Sequence, residues 1–364
     1  MDEKWMRLAL ELAKKGEGFV NPNPLVGAVI VKDEKVIGRG YHTKFGYPHA
    51  EVEAFKNAEE SVEGATLYVT LEPCSHYGKT PPCADLIVKK KIKRVVVGIL
   101  DPNPLVAGRG IKKLSDEGIE VTVGVLEEEC RKINEVFLKY IVNKEPFVLM
   151  KSAVSLDGKI ATTKGESKWI SGEESRARVH ASRGKYAAIM AGINTVLEDN
   201  PYLTCRVEGK KSPVRVIVDS SLKIPLDSNI VKTADSVPVI VACTKKADVI
   251  KKEKLIKTGV NILEIDEIDS RIDLKKLVLK LGEMNIDSIL IEGGGTLNFS
   301  ALSQGIVDKV QFYVAPKIIG GVNSKTSVEG LGIDRLKDSF NVSFSEVSRV
   351  GEDILIEGYI KKVN

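Results

Sequence analysis

The segments PHAEVEAFKNA (residues 48–58) and TLEPCSHYGKTPPCA (residues 70–84) determine the fold of the first part of the chain and its chemistry. They supply one imidazole, His49, and two thiols, Cys74 and Cys83. One nitrogen and two sulfur ligands suit a tetrahedral zinc ion whose fourth position stays open to water. Glu51 can transfer protons to and from that water. The residues therefore predict a catalytic zinc site.

The spacing of His49 and Glu51 restricts the local backbone. Residues two apart in a regular helix point roughly 200° away from each other. His49 therefore has to lie outside the helix predicted for residues 50–58, and Pro48 marks the place where that helix begins. With His49 in non-helical backbone, both side chains can face one metal ion.

The two cysteines lie next to predicted secondary structure. Cys74 follows a predicted strand, residues 66–70, and Cys83 precedes a predicted apolar helix, residues 84–88, whose dipole favours a thiolate. Zinc-dependent hydrolytic deaminases usually combine H-x-E with P-C-x-x-C, whereas eight residues separate the cysteines here. The alternative interpretation is a surface histidine with two buried cysteines.

The composition of the 364-residue chain, 43% hydrophobic and 29% charged, is that of a globular protein, and its length predicts two domains. No apolar run approaches the ~20 residues that span a bilayer, and the first residues lack a secretion signal. A net charge of +4 without a basic stripe disfavours nucleic acid. Five cysteines form no even disulfide framework. We expect a cytoplasmic protein that binds neither nucleic acid nor membrane.

Alternating strands and helices predict an α/β/α sandwich for the first domain, with helices on both faces of a sheet. Asp2 is expected to cap the first helix, and Glu127–Tyr140 is expected to form one continuous helix. The strands predicted between them are residues 26–31, 36–40, 66–70, 94–99 and 119–125.

Asn143–Pro146 is the predicted linker, so we expect domains at residues 1–144 and 145–364. Strands and helices alternate again after it, without any repeat of the first half, which predicts a second, different α/β domain. Its predicted strands are residues 147–154, 187–191, 215–219, 238–243, 288–291 and 309–315, and predicted helices begin at residues 173 and 296.

The run Glu292-Gly293-Gly294-Gly295-Thr296 lies between an apolar strand and a helix. Backbone amides at such a place favour a phosphate, although a tight turn is the alternative because G-x-G-x-x-G is absent. The sequence also leaves the role of one further segment undecided, Ser155-Leu156-Asp157-Gly158. Its simple interpretation is a type I turn. Arg183 and Arg206 are candidates for binding a phosphate, or are solvated surface charges.

The whole chain resembles the bifunctional deaminase–reductase family of riboflavin biosynthesis. In the first half the resemblance rests on NPNPLVGAVIV (21–31), HAEVEA (49–54), TLEPCSHYGKTPPCA (70–84) and DPNP (101–104). In the second half it rests on KSAVSLDGKIAT (151–162), GESKWIS (165–171), NTVLEDNPYLTCR (194–206), IEGGGTL (291–297) and VAPKIIGG (314–321). The long C-x8-C spacing is this family's form of the zinc loop.

The resemblance implies a cytidine-deaminase-like domain with one zinc ion, followed by a dihydrofolate-reductase-like α/β domain that uses NADPH. The implied substrate is a small molecule, 2,5-diamino-6-ribosylamino-4(3H)-pyrimidinone 5′-phosphate. The first domain would replace the 2-amino group with oxygen and release ammonia. The second would reduce the ring-opened ribosyl chain to give 5-amino-6-ribitylaminouracil 5′-phosphate. We also expect a homo-oligomer.

The resemblance also assigns roles to individual residues. The zinc ligands are His49, Cys74 and Cys83, and Glu51 transfers protons. The positions that match substrate contacts are His42, Lys79 and Asn103 in the first domain and Ser167, Arg183, Leu203, Arg206 and Glu292 in the second. The positions that match NADPH contacts are Ala153, Trp169, Thr195, Asp199, Ser220, Gly294, Gly295, Thr296, Leu297, Asn298, Phe299 and Ser300.

Two other functions stay open at this point. A zinc deaminase acting on a nucleoside, a base or tRNA, with an accessory domain, would use the same residues. It would usually have the C-x-x-C spacing, and it leaves the second half unexplained. A regulatory module with an inactive zinc site is the other possibility, and the intact Glu51 argues against it. An assay for released ammonia separates these functions.

Overall fold

A computed structural model describes residues 1–75, 77, 81–103 and 107–361. The chain divides into two compact units, Met1–Lys144 and Glu145–Asn364, and each has its own sheet and its own hydrophobic clusters. Among the residues described, no helix combines the length and apolar character needed to cross a membrane.

The first unit alternates strands and helices. Its strands in the described residues are β1 Gly27–Lys32, β2 Lys35–Tyr41, β3 Thr66–Leu71, β4 Arg94–Ile99 and β5 Glu120–Val123. Its helices there are α1 Asp2–Lys14, α2 Ala50–Lys56, α3 Cys83–Lys89, α4 Arg109–Asp116, α5 Glu127–Ile133 and α6 Glu135–Asn143. The strand order is β2-β1-β3-β4-β5, with β1 antiparallel to β2 and β3, and with β3, β4 and β5 mutually parallel.

Helices cover both faces of this sheet. Successive side chains of a strand point to opposite faces, and Ile30 accordingly packs in a cluster with α2, α3 and α4. Its neighbour Val29 packs on the other face with α1, α5 and α6. The α/β/α sandwich predicted from the alternating pattern is confirmed.

Two local predictions for this unit are wrong. Asp2 lies in the first turn of α1, and its carboxylate accepts hydrogen bonds from Arg94, at 2.9 Å to each oxygen, and from the Tyr68 hydroxyl at 2.8 Å, so it caps nothing. The helix predicted for residues 127–140 is broken at Asn134. The Asn134 side chain pairs with both the N–H and the C=O of Leu25, at 2.8 and 2.9 Å, which fixes it between two shorter helices.

The second unit is larger and also alternates. Its strands in the described residues are β6 Phe147–Ser155, β7 Ala188–Gly192, β8 Val214–Val218, β9 Val239–Cys243, β10 Asn261–Glu264, β11 Glu267–Ile268, β12 Arg271–Ile272, β13 Ser288–Ile291, β14 Lys309–Ala315, β15 Val342–Val350 and β16 Asp353–Ile360. Its helices there are α7 Glu173–Arg183, α8 Ile193–Asp199, α9 Asn229–Lys232, α10 Val249–Ile256, α11 Leu274–Glu283 and α12 Gly295–Ser303, with a 3-10 turn at Leu336–Asp338.

Nine of these strands form one sheet in the order β10-β9-β8-β7-β13-β6-β14-β16-β15. The strands from β10 to β14 in this order are mutually parallel, whereas β16 is antiparallel to both of its neighbours, β14 and β15. Helices α8, α9 and α10 pack on one face, and α11 and α12 pack on the other. The β15–β16 hairpin was not predicted, and its pairing register shifts between Phe344 and Glu346.

A buried carboxylate ties the end of β3 to the chain beyond β4. Glu72 is 3% exposed. Its Oε2 accepts the N–H groups of Asp101 and Gly108 at 3.2 and 3.0 Å. Its Oε1 accepts those of Gly110 and Ile111, in the first turn of α4, at 2.9 and 3.3 Å. One side chain therefore satisfies four backbone donors.

We predict that Glu72→Ala lowers the free energy of unfolding of the first unit by about 3–5 kcal/mol, because each buried donor left unpaired costs ~1–3 kcal/mol and water can reach some of them. Denaturant unfolding, monitored through a spectroscopic signal that arises in the first unit, measures this loss of free energy. Glu59→Ala changes an exposed carboxylate and should shift stability by no more than about 0.5 kcal/mol. Equal losses in the two variants would contradict the structural role of Glu72.

Candidate functional site

Three predicted zinc ligands converge in the first unit. The Nδ1 of His49 lies 3.5 Å from the Sγ of Cys74 and 3.4 Å from the Sγ of Cys83, and the three ligand atoms lie within 4.8 Å of one another. Zn–S bonds of ~2.3 Å and Zn–N bonds of ~2.0 Å at tetrahedral angles separate ligand atoms by about 3.5 Å. The donor set and its spacing therefore fit a zinc ion with an open fourth position.

Element boundaries place these ligands. His49 is the N-cap of α2 with extended backbone, φ −71° and ψ 162°, as its two-residue spacing from Glu51 requires. Cys74 lies three residues beyond β3, and Cys83 is the first residue of α3. The Cys83 N–H donates to the Cys74 sulfur at 3.3 Å, so the start of α3 holds one ligand beside the other.

Glu51 lies in the first turn of α2 and is 3% exposed. Burial raises the pKa of its carboxyl to about 7, against the smaller opposing influence of His49. A carboxyl with this pKa can both hold and release a proton near neutral pH. This pKa is compatible with the proton transfer predicted for Glu51, which stays a prediction.

The structure brings His42 beside this group. Its ring centroid lies 5.8 Å from that of His49, with an interplanar angle of 80°. Its Nδ1 lies 3.1 Å from the Pro48 carbonyl oxygen, which can only accept, so Nδ1 carries the hydrogen. Its Nε2 then accepts from the Asn23 amide at 3.1 Å. Burial lowers the pKa of His42, which favours this neutral form.

The other two predicted substrate contacts of this unit have different outcomes. Asn103 lies on the loop after β4, is half-buried, and donates its N–H to the Asp101 carboxylate at 2.9 Å. Lys79 lies outside the described residues.

The sequence analysis missed Glu72, whose carboxylate accepts the N–H of Asp101. In the sequence, the feature by which Glu72 could have been recognised is the position of its carboxylate directly between a strand and Pro73.

The second unit contains a cavity of about 390 Å³. It is lined by residues of the second half of β6, by residues at or just beyond the carboxyl ends of β7, β8 and β13, and by residues of α8 and α12. Ligands of open parallel sheets bind at this end of the strands. The place and the size suit a cofactor and a small substrate.

Eleven of the predicted contact residues of this unit line the cavity: Ala153, Ser167, Thr195, Asp199, Ser220, Glu292, Gly294, Gly295, Thr296, Leu297 and Ser300. Thr195 and Asp199 are four residues apart on α8, so both lie on one face of that helix. Six predicted contact residues do not line the cavity: Trp169, Arg183, Leu203, Arg206, Asn298 and Phe299.

Arg183 forms an ion pair behind the cavity. Its Nε and Nη2 donate to the two carboxylate oxygens of Glu292 at 2.7 and 2.9 Å. The Nζ of Lys151, a cavity residue that the sequence analysis missed, lies 3.3 Å from the same carboxylate. Burial alone would raise the pKa of Glu292, but the two cations hold it at about 2. The one sequence feature by which Lys151 could have been recognised is that it begins the motif KSAVSLDGKIAT (151–162).

The remaining five of these residues lie in varied surroundings. Leu203 is buried at a φ of +52°, and Arg206 is exposed. Trp169 is 63% exposed. Asn298 donates to a backbone carbonyl, and Phe299 packs edge-on against another phenyl ring. A contact with a ligand by any of these residues therefore has to come from outside the cavity as it stands.

The three glycines of the run have different surroundings. An added Cβ would lie 2.9 Å from a Leu297 methyl at Gly293, and 2.6 Å from the Thr326 carbonyl oxygen at Gly295. At Gly294, the N-cap of α12, it would meet no atom of the described residues within 4 Å apart from its neighbours in the chain. Gly294 therefore leaves open a cradle at a helix N-terminus, which fits the phosphates of a nucleotide cofactor.

Two family models match the chain. Residues 1–99 match the "cytidine and deoxycytidylate deaminase zinc-binding region", and residues 146–356 match the "RibD C-terminal domain". The first match contains His49, Cys74 and Cys83, and the second contains the residues named above that line the cavity.

Full-length relatives agree with both matches. The riboflavin biosynthesis protein RibD of Actinobacillus pleuropneumoniae is 50% identical over 356 residues, covering 98% of this chain and 94% of the relative. The solved structure of Acinetobacter baumannii RibD has a TM-score of 0.88 at 39% identity, and covers 99% of both chains. A Thermotoga maritima structure, described as a diaminohydroxyphosphoribosylaminopyrimidine deaminase/5-amino-6-(5-phosphoribosylamino)uracil reductase, has a TM-score of 0.87 at 40% identity, also with 99% coverage of both chains. The chain therefore belongs to the RibD family of riboflavin biosynthesis proteins.

Proposed function

We propose that Met1–Lys144 carries out the zinc-dependent deamination of this bifunctional enzyme and that Glu145–Asn364 carries out the NADPH-dependent reduction. The substrate is 2,5-diamino-6-ribosylamino-4(3H)-pyrimidinone 5′-phosphate, and the product is 5-amino-6-ribitylaminouracil 5′-phosphate. The convergence of His49, Cys74 and Cys83 beside buried Glu51 is the observation that carries the proposal. The full-length similarity to deaminase–reductases extends it to both units.

Residues of the first unit perform the proton transfers. The zinc ion, when bound, lowers the pKa of a water molecule toward neutrality. Glu51 takes a proton from the attacking water and delivers it to the departing amino group as ammonia forms. Neutral His42, held by Pro48 and Asn23, presents a fixed ring edge to the pyrimidine. Asn103 and Lys79 complete the proposed substrate contacts.

Residues of the second unit orient the two ligands of the reduction. NADPH, when bound, supplies the hydride. The amides around Gly294 bind its phosphates, and the proposed contacts along it are Ala153, Trp169, Thr195, Asp199, Ser220, Gly295, Thr296, Leu297, Asn298, Phe299 and Ser300. Glu292 contacts the ribosyl chain, and the proposed contacts with the rest of the substrate are Ser167, Arg183, Leu203 and Arg206.

We further propose a cytoplasmic location and a homo-oligomer. None of the five cysteines forms a disulfide, which supports a reducing compartment. Exposed apolar side chains in the second unit, among them Phe344 at 71% and Val347 at 64%, support association between copies.

Glu51→Gln should leave about one zinc ion per chain while ammonia release falls by ~10⁴-fold or more, because general acid–base catalysis contributes ~10²–10⁴-fold and Glu51 serves several steps. Metal analysis and an ammonia assay measure the two quantities. NADPH-dependent reduction of the deaminated compound should not change. Glu59→Gln is the matched control and should deaminate normally. A Glu51→Gln enzyme with near-normal turnover would disprove the assigned role.

Separation at the linker should yield two active pieces, because each unit has its own core and its own site. Residues 1–144 should release ammonia without NADPH, and residues 145–364, supplied with the deaminated compound as hydride acceptor, should oxidise NADPH without zinc. Circular dichroism and the two separate assays test this expectation. A reductase piece that requires zinc would contradict the division of labour.

Gly294→Val should raise the KM for NADPH far more than the KM for the pyrimidine, since the added side chain occupies open space where the cofactor phosphates bind. Arg206→Ala should instead weaken pyrimidine binding by roughly tenfold to a hundredfold, the loss of one charge-assisted contact worth ~1.5–3 kcal/mol. Deamination should be unaffected in both variants. Isothermal titration with each ligand measures the split, and a reversed pattern would show that the contacts are misassigned.

A further inference from the structure

The turn that ends β6 has hydrogen bonds that a simple type I turn does not need. The Ser155 hydroxyl donates to the Asp157 Oδ1 at 2.6 Å, and the same hydroxyl oxygen accepts the N–H of Lys159 at 2.9 Å. Gly158 adds the ordinary turn bond to the Ser155 carbonyl at 2.9 Å. The Ser155 hydroxyl thereby fixes the orientation of the Asp157 side chain at the end of β6.

Asp157 reaches a segment more than 160 residues further along the chain. Its Oδ1 accepts the N–H of Ile319 at 3.0 Å, and its Oδ2 accepts the N–H of Gly320 at 2.7 Å. The Ser155 hydrogen bond, followed by these two amides, lowers the pKa of Asp157 to about 2. The carboxylate is therefore charged at neutral pH, the form that accepts all of these bonds.

The two segments that Asp157 joins also meet through their backbones. We name residues 156–172 the first loop and residues 316–329 the second loop. The N–H of Leu156 donates to the Lys317 carbonyl at 2.7 Å, and the N–H of Ile160 donates to the Lys325 carbonyl at 2.9 Å. The Lys317 ammonium donates to the Trp169 carbonyl at 2.7 Å. The Asp157 bonds are thus part of a continuous junction between the loops.

Both loops border the cavity. Ile160, Ala161, Gly165 and Ser167 of the first loop line it, as do Lys325 and Glu329 of the second. The end of the second loop also joins the helix that begins in the glycine run, because the N–H of Glu329 donates to the Gly295 carbonyl at 3.0 Å. The Asn298 side chain donates to the Ser327 carbonyl at 2.8 Å. The second loop therefore connects Asp157 to the start of α12.

We propose that Asp157 is a positioning residue for the reduction, which holds the first loop against the second loop and thereby sets the width of the cleft that takes NADPH. The inference rests on the proposed function of the second unit. Asp157 does not line the cavity, so it acts through the loops rather than by touching the cofactor. An exposed carboxylate is not needed to complete the core of this unit, which leaves the loop junction as its role.

Asp157→Asn in the full-length enzyme is the direct test. The amide keeps the size of the side chain, but only its oxygen can accept, and its NH₂ group opposes the second backbone N–H. We expect the Kd for NADPH, from fluorescence titration, to rise at least tenfold and the turnover of the reduction to fall. Ammonia release should be unchanged. Hydrogen exchange should speed up at Ile319 and Gly320 while the amides of β6 and β14 stay protected.

Two further variants make the result decisive. Ser155→Ala removes one of the bonds that orient Asp157 and should raise the Kd for NADPH about threefold. Asp227→Asn changes an exposed carboxylate elsewhere in the same unit and should bind NADPH normally. If Asp157→Asn does not fold, Ser155→Ala decides, and normal binding there overturns the proposal.

The outcomes separate this inference from the proposed function. If the wild-type enzyme fails to bind NADPH, the proposed function of the second unit is wrong. If the wild-type enzyme binds NADPH and Asp157→Asn binds it equally well, the proposed function stands and the role of Asp157 is wrong. A variant that loses thermal stability while keeping the Kd and the turnover would show that Asp157 only stabilises the fold, which also overturns the proposal.

Discussion

Each unit buries a carboxylate immediately after a strand in the interior of its sheet, and the surrounding chain has to compensate the charge of that carboxylate. An uncompensated buried charge costs several kcal/mol. Glu72 follows β3 and is compensated by four backbone N–H groups, which draws the chain beyond β4 toward the zinc ligands. Glu292 follows β13 and is compensated by Arg183 and Lys151, which draws α7 toward the cavity. The groups that bind each buried carboxylate, backbone N–H groups in one unit and cationic side chains in the other, therefore determine which segments of the chain border each site.

Most of the fold could be predicted from the sequence because apolar strands alternate with amphipathic helices. The strands at residues 94–99, 288–291 and 309–315 were predicted with the bounds that the structure has. The helix break at Asn134 could not be predicted, because it depends on Leu25, more than a hundred residues away. The β15–β16 hairpin was missed because exposed and half-buried residues mix along β15, which hides the period of two.

The candidate site was predicted best where chemistry and local sequence coincide. His49, Glu51, Cys74 and Cys83 lie within two short motifs, and the two-residue spacing of His49 and Glu51 restricts the backbone at the start of the helix. Residues whose hydrogen-bond partners lie far away in the sequence could not be recognised from a local motif. The sequence of Asp157 is that of an ordinary turn, and only the folded chain brings Ile319 and Gly320 to its carboxylate.

The register shift on β15 has a consequence for how copies of the chain can meet. Open strand edges invite pairing with other chains and, through it, aggregation. The nine-stranded sheet ends in β10, which has only four residues, and in β15, whose ladder is interrupted between Phe344 and Glu346. A further strand could pair along only four residues at β10, and at β15 it would meet an edge whose regularity is broken near Phe344. The register shift thus disfavours strand addition at this edge, and the exposed side chains of β15, such as Phe344 and Val347, are the surface that it leaves for association of copies.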